Sequence, residues 1–488
     1  DTLRREKRPG STPSRHFAMN RRTLLKRLSL CATAFLAGCV TVGPDFEPVA
    51  IEPPSEWTHA QTMSQESATS SEATDLWWHT FDDPQLVQLV ERSRTDNLDV
   101  LSAGSRIAQA RASLGISKSD RWPMADASGS KTRSQSSEAV GTGQEVDFYR
   151  VGLDAVWERD LFGGTQRSIE ASVADLEGRM ADHQAVLVSV SAESALRYVE
   201  VRTLQRRLQI AEDNLTAQQE TFELTQFRAQ AGLSTELDVQ LARANLESTR
   251  ARLPDLESQL ARTRHALSVL LGVPPAALDE ELAEPGPIPT ASPDVAVGVP
   301  AETLRRRPDV RSAEQAVATQ SALVGVATAQ LYPSLRLSGS IGLEALSVEG
   351  LTGGEATAWS FGPSIRLPLF NRGKLRRSVD LQVELLEQSE INYRKAVLGA
   401  WAEVEDALAA LRAEQERQSA YREAASAAAT AVELSLDLYS AGISDFQAVL
   451  EAQRSLYSFE DLLAQSQAGE STSLIRLYKA LGGGWSTE

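Results

Sequence analysis

The second half of the chain repeats the first half at a fixed offset of 210 residues. Matching landmarks begin about a quarter of the way along the chain and continue almost to its end. A constant offset over this length indicates a tandem duplication of one large structural unit. The fold must therefore be built twice from the same succession of elements. The clearest pairs are Trp122-Pro123 with Tyr332-Pro333, Ser128-Gly129-Ser130 with Ser338-Gly339-Ser340, Gly152 with Gly362, Ala231-Gly232 with Ala441-Gly442, and Leu271-Gly272 with Leu481-Gly482.

Residues 1–38 have the composition of a targeting segment. A basic stretch, Met19–Arg27, precedes an apolar run, Leu28–Leu36, that is too short to span a membrane. We interpret residues 1–18, which precede this Met, as translated upstream sequence or the result of a misplaced start. The following Leu36-Ala37-Gly38-Cys39 resembles a bacterial lipobox, which predicts that Cys39 carries a covalent diacylglycerol and an N-acyl lipid. Because Val40 rather than Asp comes next, the resemblance to sorted lipoproteins implies an outer-membrane location.

Charge and cysteine content exclude several classes of function. The full chain has a net charge of −17, and residues 1–38 hold nine Lys/Arg and two Asp/Glu, a net +7, so the remainder carries −24. Such an acidic chain is not expected to bind nucleic acid. Cys39 is the only Cys after this segment, which leaves no intrachain disulfide and no Cys-based metal site. No catalytic constellation or phosphate-binding loop is recognisable, so we predict neither an enzyme nor a non-covalent cofactor.

Two pairs of segments change from helical periodicity to an alternation of period two. Apolar residues occupy every second position in Tyr149–Trp157 and again in Trp359–Leu369. Alternation with aromatic residues near the strand ends is typical of membrane-spanning β-barrel strands. A half-buried strand of a soluble sheet gives the same pattern, and the lipobox favours the membrane. The strands are predicted at about 124–134, 146–157, 334–343 and 358–369, with Ser/Gly/Thr-rich hairpin loops inside each pair.

A long stretch without proline follows each strand pair. Helical hairpins are predicted at about 166–272 and 373–482, and each turns at an Ala-Gly pair. The returning helices carry apolar seams with alternating spacings of three and four residues, which predict antiparallel coiled-coil packing. The first seam comprises Val239, Ala242, Leu246, Thr249, Leu253, Leu256 and Leu260, and the second comprises Val449, Ala452, Leu456, Phe459 and Leu463.

These elements give a plan for the whole chain and a fold class. An arm (39–74) precedes repeat 1 (75–284), a Pro-rich linker (285–300) and repeat 2 (301–488). Four strands are too few to close a barrel, and unpaired strand edges are not tolerated in lipid. We therefore predict a mixed α and β membrane protein whose chains oligomerise into a transmembrane β-barrel. Long coiled-coil helices around the same axis would continue it as a tube through the periplasm, which indicates a conduit.

Several motifs, taken in order, resemble the outer membrane factors of tripartite efflux pumps. These are the TolC-like channels, and within them the lipoprotein branch that is similar to NodT and OprM. The resemblance covers essentially all of the chain after the targeting segment. Its motifs are Val42-Gly43-Pro44-Asp45-Phe46, Trp77-Trp78 with Phe81 and Asp83-Pro84, Leu304-Arg305-Arg306-Arg307-Pro308-Asp309, Leu331-Tyr332-Pro333-Ser334, Leu367-Pro368-Leu369-Phe370, Ala452-Gln453-Arg454-Ser455-Leu456 and Ala480-Leu481-Gly482-Gly483-Gly484-Trp485.

The resemblance implies an assembly and partners. It implies a homotrimer with a 12-stranded barrel, four strands from each chain, joined to a periplasmic α-helical barrel. It also implies a periplasmic adaptor and an inner-membrane pump, usually of the resistance-nodulation-division class. The channel itself would do no chemistry and would passively export drugs or other small toxic compounds. A structural coiled-coil lipoprotein that forms no pore is the alternative.

The resemblance also implies two kinds of site at the hairpin turns. The adaptor would dock on the tips, at Arg228, Gly232, Leu233, Tyr439, Gly442 and Ile443. A periplasmic gate is expected at Gln447 and Glu451, with Asp445 nearby. Turn residues without a docking role, and a solvated helix face, are the simpler interpretations of the same positions. The repeat is asymmetric here, since Asp238 corresponds to Ala448 and Leu241 corresponds to Glu451, and this asymmetry points to the gate.

Overall fold

The computed structural model describes residues 41–48, 57–58, 75–291 and 300–485. The described chain forms two compact units, and the polypeptide passes between them several times. The sheet unit contains Thr41 and Val42 together with Met124–Gly164 and Tyr332–Pro368. The helical unit contains the described residues within Gly43–Pro123, Thr165–Leu331 and Leu369–Glu488. Each unit is thus assembled from both repeats rather than from one.

The sheet unit is a four-stranded antiparallel sheet in the order β1-β2-β3-β4. Its strands are β1 (Met124–Gln135), β2 (Glu145–Arg159), β3 (Ser334–Ala345) and β4 (Thr357–Arg366), and a short 3-10 helix, Glu349–Thr352, lies in the second hairpin loop. β2 pairs with β3 across the repeat boundary, with Gly152 opposite Gly342. β4 ends three residues before the predicted position. Pro368 has no amide hydrogen to donate and restricts the residue before it, so the ladder stops.

One face of the sheet is apolar and the other is polar. Residues directly opposite each other in the register share a face. The odd-numbered residues of β2 from Tyr149 to Trp157 therefore lie on the same face as Leu337 and Ile341 of β3. The same face of β4 carries Trp359, whose side chain is 76% exposed. The opposite face carries Arg150, Asp154, Arg336 and Glu344 among serines and glycines. This two-sided pattern is the one predicted from the alternation.

The helical unit contains two very long helices that each return as a hairpin. α3 has 67 residues and α8 has 69, which at 1.5 Å per residue gives each a length of about 100 Å. In the described residues no helix combines the length and the apolar character needed to cross a membrane. The helices are α1 (Pro84–Asp96), α2 (Leu98–Ser119), α3 (Gly164–Gln230), α4 (Glu236–Arg250), α5 (Leu253–Leu270), α6 (Pro300–Arg306), α7 (Pro308–Ala329), α8 (Arg372–Ser440) and α9 (Phe446–Ala480).

The first returning helix is broken, which corrects the prediction of a continuous helical seam from Val239 to Leu260. α4 ends at Arg250 and α5 begins at Leu253, with Pro254 in the first turn of α5. Proline cannot donate to the carbonyl four residues earlier and its ring collides with that turn. The corresponding residue of the second repeat is Ala464, and α9 runs through it without interruption. The broken helix still buries the apolar seam at Val239, Leu246 and Leu256.

The second seam is less buried than the first. Val449 is fully buried, but Ala452, Leu456, Phe459 and Leu463 are only half-buried in one chain. The neighbouring positions Leu450, Gln453 and Tyr457 are buried instead. The helix is therefore rotated by about one residue relative to the predicted seam, because it packs against the first hairpin as well as against its own partner.

The largest apolar cluster of the helical unit surrounds a 3-10 helix, Trp77–Phe81. Trp77 stacks on Tyr478 with ring centroids 5.4 Å apart and meets Trp78 edge to face. Nearby, the Tyr198 hydroxyl donates to Asp83 and accepts from the Arg202 guanidinium. Burial raises the pKa of Tyr198 to about 12, although Arg202 opposes the shift. This cluster joins the beginning of repeat 1 to the end of repeat 2.

Candidate functional site

The two hairpins of the helical unit end in turns of the same geometry. Gly232 and Gly442 both have positive φ, +75° and +73°, a region that side chains with a Cβ rarely adopt. The Leu233 amide donates to the Arg228 carbonyl and the Ile443 amide donates to the Leu438 carbonyl. This pattern is the Schellman motif that closes a helix at a left-handed glycine. The Ala-Gly pairs therefore form the tips, as predicted.

The helices that leave the two tips begin with different caps. At the first tip, the Thr235 hydroxyl accepts from the Asp238 amide while the Asp238 carboxylate accepts from the Thr235 amide, which is a capping box. At the second tip, Asp445 occupies the position of Thr235 and accepts from the Ala448 amide. The asymmetry between Asp238 and Ala448 therefore has a local structural reason. At the second tip the N-cap residue Asp445 is itself acidic, so a second carboxylate at position 448 is not needed to cap α9.

The hydrogen bonds of this turn also lower the pKa of Asp238. Partial burial by itself would raise the pKa of Asp238, but the backbone amide of Thr235 and the hydroxyls of Ser234 and Thr235 donate to the carboxylate and lower it. The carboxylate is therefore ionised at neutral pH. Because its carboxylate oxygen already accepts these hydrogen bonds, Asp238 has a structural role in the turn.

A small cluster holds the two tips together. Tyr439 and Phe446 meet edge to face at 5.6 Å, and they pack with Ala242, Val449 and Leu450. The Arg228 guanidinium lies 4.6 Å from the centre of the Tyr439 ring and donates to the Ser440 carbonyl at 2.8 Å. Arg228 belongs to the first hairpin and Tyr439 to the second, so this contact links the hairpins.

The predicted docking residues divide into two groups. Leu233 and Ile443 project from the tips and are 67% and 75% exposed. Tyr439, by contrast, is 3% exposed, and its ring lies inside the cluster. Arg228 is half-buried against it. In one chain, therefore, the tip surface is formed by the turn residues, while Arg228 and Tyr439 hold the turns in place.

The predicted gate residues lie together at the start of α9. Gln447 and Glu451 are exposed and occupy the same face of the helix, one turn apart. The Gln447 amide donates to the Glu451 carboxylate at 3.0 Å. Leu241, which corresponds to Glu451 in the repeat, packs against the tip cluster instead. The second repeat thus presents a carboxylate where the first presents an apolar contact.

A ladder of polar contacts between the hairpins was not predicted from the sequence. α3 contributes one residue every seven positions: Arg207, Asn214, Thr221 and Arg228. Arg207 binds Asp461 at 2.6 Å, Asn214 donates to Glu460 at 3.1 Å, and Thr221 accepts from Gln453 at 2.8 Å. The heptad spacing of these polar residues is a detectable signal in the sequence, although it does not identify their partners in the second hairpin. Among the remaining contacts, Arg454 on α9 donates to Asn245 on α4 at 3.0 Å.

Cys39, the predicted lipidation site, lies outside the described residues. Within the part of the chain that the structure describes, no group of three or more His, Cys, Asp or Glu side chains is arranged to hold a metal ion.

Comparison with known proteins identifies the family. The profile of the family described as "Outer membrane efflux protein" matches residues 89–273 and again residues 299–483. The two matches start 210 residues apart and end 210 residues apart, so the family unit coincides with the internal repeat. The fold is also that of a solved relative, the outer-membrane channel OprN, with a TM-score of 0.86 at 35% identity over 91% of this chain and 99% of the channel.

Characterised relatives match over nearly their whole length. Nodulation protein T of Rhizobium leguminosarum bv. trifolii is 34% identical over 451 residues, 92% of this chain and 95% of the relative. The toluene efflux pump outer membrane protein TtgI of Pseudomonas putida is 32% identical over 470 residues, 94% of this chain and 98% of the relative. These matches confirm the predicted family, fold class and outer-membrane location. The chain belongs to the outer membrane efflux protein family, and it is the subunit of an outer membrane efflux channel.

Proposed function

We propose that three copies of this chain form the passive outer-membrane conduit of a tripartite efflux system. A periplasmic adaptor and an inner-membrane pump of the resistance-nodulation-division class would supply the exported compounds and the energy. The observation that carries this proposal is the open sheet, whose edge strands β1 and β4 have no second partner strand among the described residues. Unpaired peptide groups in lipid cost several kcal/mol each, so the edges favour pairing with other copies.

The cargo is proposed as small toxic compounds rather than one molecule. The name of the Pseudomonas putida relative specifies toluene, whereas that of the Rhizobium relative refers to nodulation. Relatives of nearly equal identity thus differ in role. This difference supports the proposal that the inner-membrane pump selects the exported compound. The conduit would perform no reaction on what passes through it.

We place the periplasmic gate at Glu451 with Gln447. Glu451 is exposed at the start of α9, and its carboxylate is held by Gln447. In a trimer with α9 near the axis, three such carboxylates would converge and repel one another unless a cation or a proton compensates them. Asp445 would add negative charge nearby, but its oxygen already caps α9. The gate would therefore be sensitive to divalent cations.

We place adaptor docking at the exposed part of the tips. Leu233 and Ile443 present apolar side chains beside glycines around which no atom lies within 4 Å of an added Cβ. Exposed apolar side chains that are grouped, rather than scattered singly, favour a binding surface, and these two lie on tips that the Arg228 contact joins. Arg228 and Tyr439 would contribute indirectly, because they fix the position of these turns.

We further propose that Cys39 is acylated and helps to hold the chain at the membrane. The first described residues after it, Thr41 and Val42, lie against the segment that follows β2, where the Val42 amide donates to the Phe162 carbonyl at 3.1 Å. Two residues of extended chain span at most about 7 Å. An acyl group on Cys39 would thus be attached close to the end of the sheet. Incorporation of labelled palmitate into wild type but not into Cys39→Ser would support this, and labelling of Cys39→Ser would contradict it.

The gate is tested by single-channel recording in planar bilayers with divalent cations. Conductance by the wild-type trimer tests the channel itself, and a chain that trimerises without conducting would instead be a structural lipoprotein. Glu451→Ala is expected to raise conductance or weaken block by Mg²⁺, because it removes the converging charges. Glu423→Ala is the matched control, since Glu423 is an exposed glutamate on α8 away from the tips. Unchanged conductance and block in Glu451→Ala would exclude the gate assignment.

A further inference from the structure

The apolar face of the sheet is bounded at each end by a cation packed on an aromatic ring. At the end of the hairpin loop, the Lys131 ammonium lies 5.1 Å from the centre of the Tyr149 ring. At the other end of β2, the Arg159 guanidinium lies 5.4 Å from the Trp157 ring. Lys131 and Tyr149 are register partners, and Trp157 and Arg159 are also odd-numbered residues of β2, so all four side chains share the apolar face.

The spacing of the two pairs matches the thickness of a bilayer's apolar layer. Arg159 lies ten residues beyond Tyr149, which is about 33 Å along a strand at about 3.3 Å per residue. A strand tilt of about 40°, usual in membrane barrels, reduces this to about 25 Å along the membrane normal. The apolar band of such barrels is about 25 Å tall. The two cations therefore lie at the two headgroup levels.

The cations at the hairpin-loop end are already compensated. Lys131 and Arg133 share the Asp147 carboxylate, at 3.2 and 2.7 Å, and Glu145 lies 4.0 Å from Arg133. Two positive and two negative charges leave no net charge in this group. It therefore has no particular attraction for an anionic headgroup.

Arg159 is different because none of the described carboxylates forms an ion pair with it. It is exposed, its register partner is the apolar Leu335, and Glu158 projects from the opposite face. The guanidinium carbon itself lies over the Trp157 ring, so the charged group is held at the edge of the apolar band. An uncompensated guanidinium at this level has the fork geometry that suits a phosphate group.

The arm of the chain reaches the same end of the sheet. Thr41 lies against Gly163, where an added Cβ would come within 2.8 Å of the Thr41 Cα, and Gly163 has a φ of +78°. Phe162 beside it stacks on Tyr332 with ring centroids 4.7 Å apart. Aromatic rings of this kind favour the interface between lipid tails and headgroups. This end thus has an aromatic girdle and a docked arm, and its apolar face carries a cation, Arg159, that forms no ion pair with any described carboxylate.

We propose that Arg159, braced by Trp157, binds the phosphate of a glycerophospholipid in the leaflet at the helix-connected end of the barrel. The site rests on the membrane location of the sheet and adds a specific lipid contact to each subunit. One bound phospholipid on each subunit would sit next to the position where the arm meets the sheet.

The test is native mass spectrometry of the delipidated trimer, titrated with dioleoyl phosphatidylglycerol. Dioleoylglycerol, which has the same chains but no phosphate, is the second probe. Arg159→Gln is expected to lower phosphatidylglycerol affinity about tenfold, the effect of losing one charge-assisted hydrogen bond. Arg336→Gln is the matched control, because Arg336 lies opposite Glu158 in the register, at almost the same level but on the polar face. It should leave the affinity unchanged.

The outcomes separate this site from the channel function. The proposal is overturned if wild type and Arg159→Gln bind phosphatidylglycerol equally well. It is also overturned if Arg336→Gln loses as much affinity as Arg159→Gln, or if binding of dioleoylglycerol depends on Arg159 to the same degree. If Arg159→Gln fails to trimerise, Arg159→Lys, which keeps the charge, replaces it and should retain more lipid than Arg159→Met. Conductance in planar bilayers reports the channel independently, since the polar face of the sheet is unchanged in the Arg159 variants.

Discussion

The link between the two hairpin tips leads to a quantitative prediction about the gate. Arg228→Met removes the guanidinium from the Tyr439 ring and the hydrogen bond to the Ser440 carbonyl, but keeps an apolar stem of similar length. The contact joins positions 212 residues apart in the chain. Its loss should therefore loosen one hairpin relative to the other without unfolding either.

The magnitude follows from the two interactions. A cation over an aromatic ring at a partly exposed site contributes about 0.5–1 kcal/mol, and a hydrogen bond from a charged donor contributes about 1.5–3 kcal/mol. Arg228 is half-buried and its Nε makes no hydrogen bond, which offsets part of the gain. We therefore expect a loss of about 2 kcal/mol in each subunit. That corresponds to about a 30-fold shift in the equilibrium between joined and separated tips.

Two measurements check this estimate. Single-channel recordings should show a higher open probability for Arg228→Met, and hydrogen exchange should accelerate across residues 436–446. Arg250→Met is the matched control, because Arg250 forms an exposed ion pair with Glu247 on its own helix. Wild-type open probability and exchange in Arg228→Met, or an equal change in Arg250→Met, would refute the assignment of this contact as the link between the tips.

Three further predictions concern the helices and the core. Pro254→Ala should join α4 to α5 and slow hydrogen exchange at residues 250–256, whereas Ala464→Pro should break α9 at a cost of about 3 kcal/mol, seen as lower thermal stability. Asp238→Ala should destabilise the start of α4 by about 1 kcal/mol, measured by exchange of its first amides. Because its folded pKa is lowered, this contribution is present above the ordinary pKa of Asp and lost as the pH falls below it. Tyr198 should titrate near pH 12 in the absorbance difference between wild type and Tyr198→Phe. The raised pKa means that the folded state favours the protonated Tyr198 hydroxyl. The stabilisation from this hydroxyl is therefore complete below pH 10 and is lost as the pH rises through about 12.

Much of the fold was predictable because its signals are local. Period-two alternation located the strands, and the Ala-Gly pairs located the tips, since positive φ at Gly232 and Gly442 is a requirement of the turn itself. The break at Pro254 was also present in the sequence, but the regular seam through Leu253 obscured it. The heptad of polar residues from Arg207 to Arg228 is equally visible in the sequence, but polar periodicity does not identify the partner helix that these side chains contact.

The repeat, the four strands, the two hairpins and the acidic position at Glu451 can all be read from the order of the amino acids. The folded chain adds three facts: β2 pairs with β3 across the repeats, Arg228 packs on Tyr439, and Arg159 has no carboxylate partner among the described residues while Lys131 has one. The difference lies in the range of the interactions. Backbone periodicity and turn geometry depend on residues a few positions apart, whereas these contacts join residues that only folding brings together.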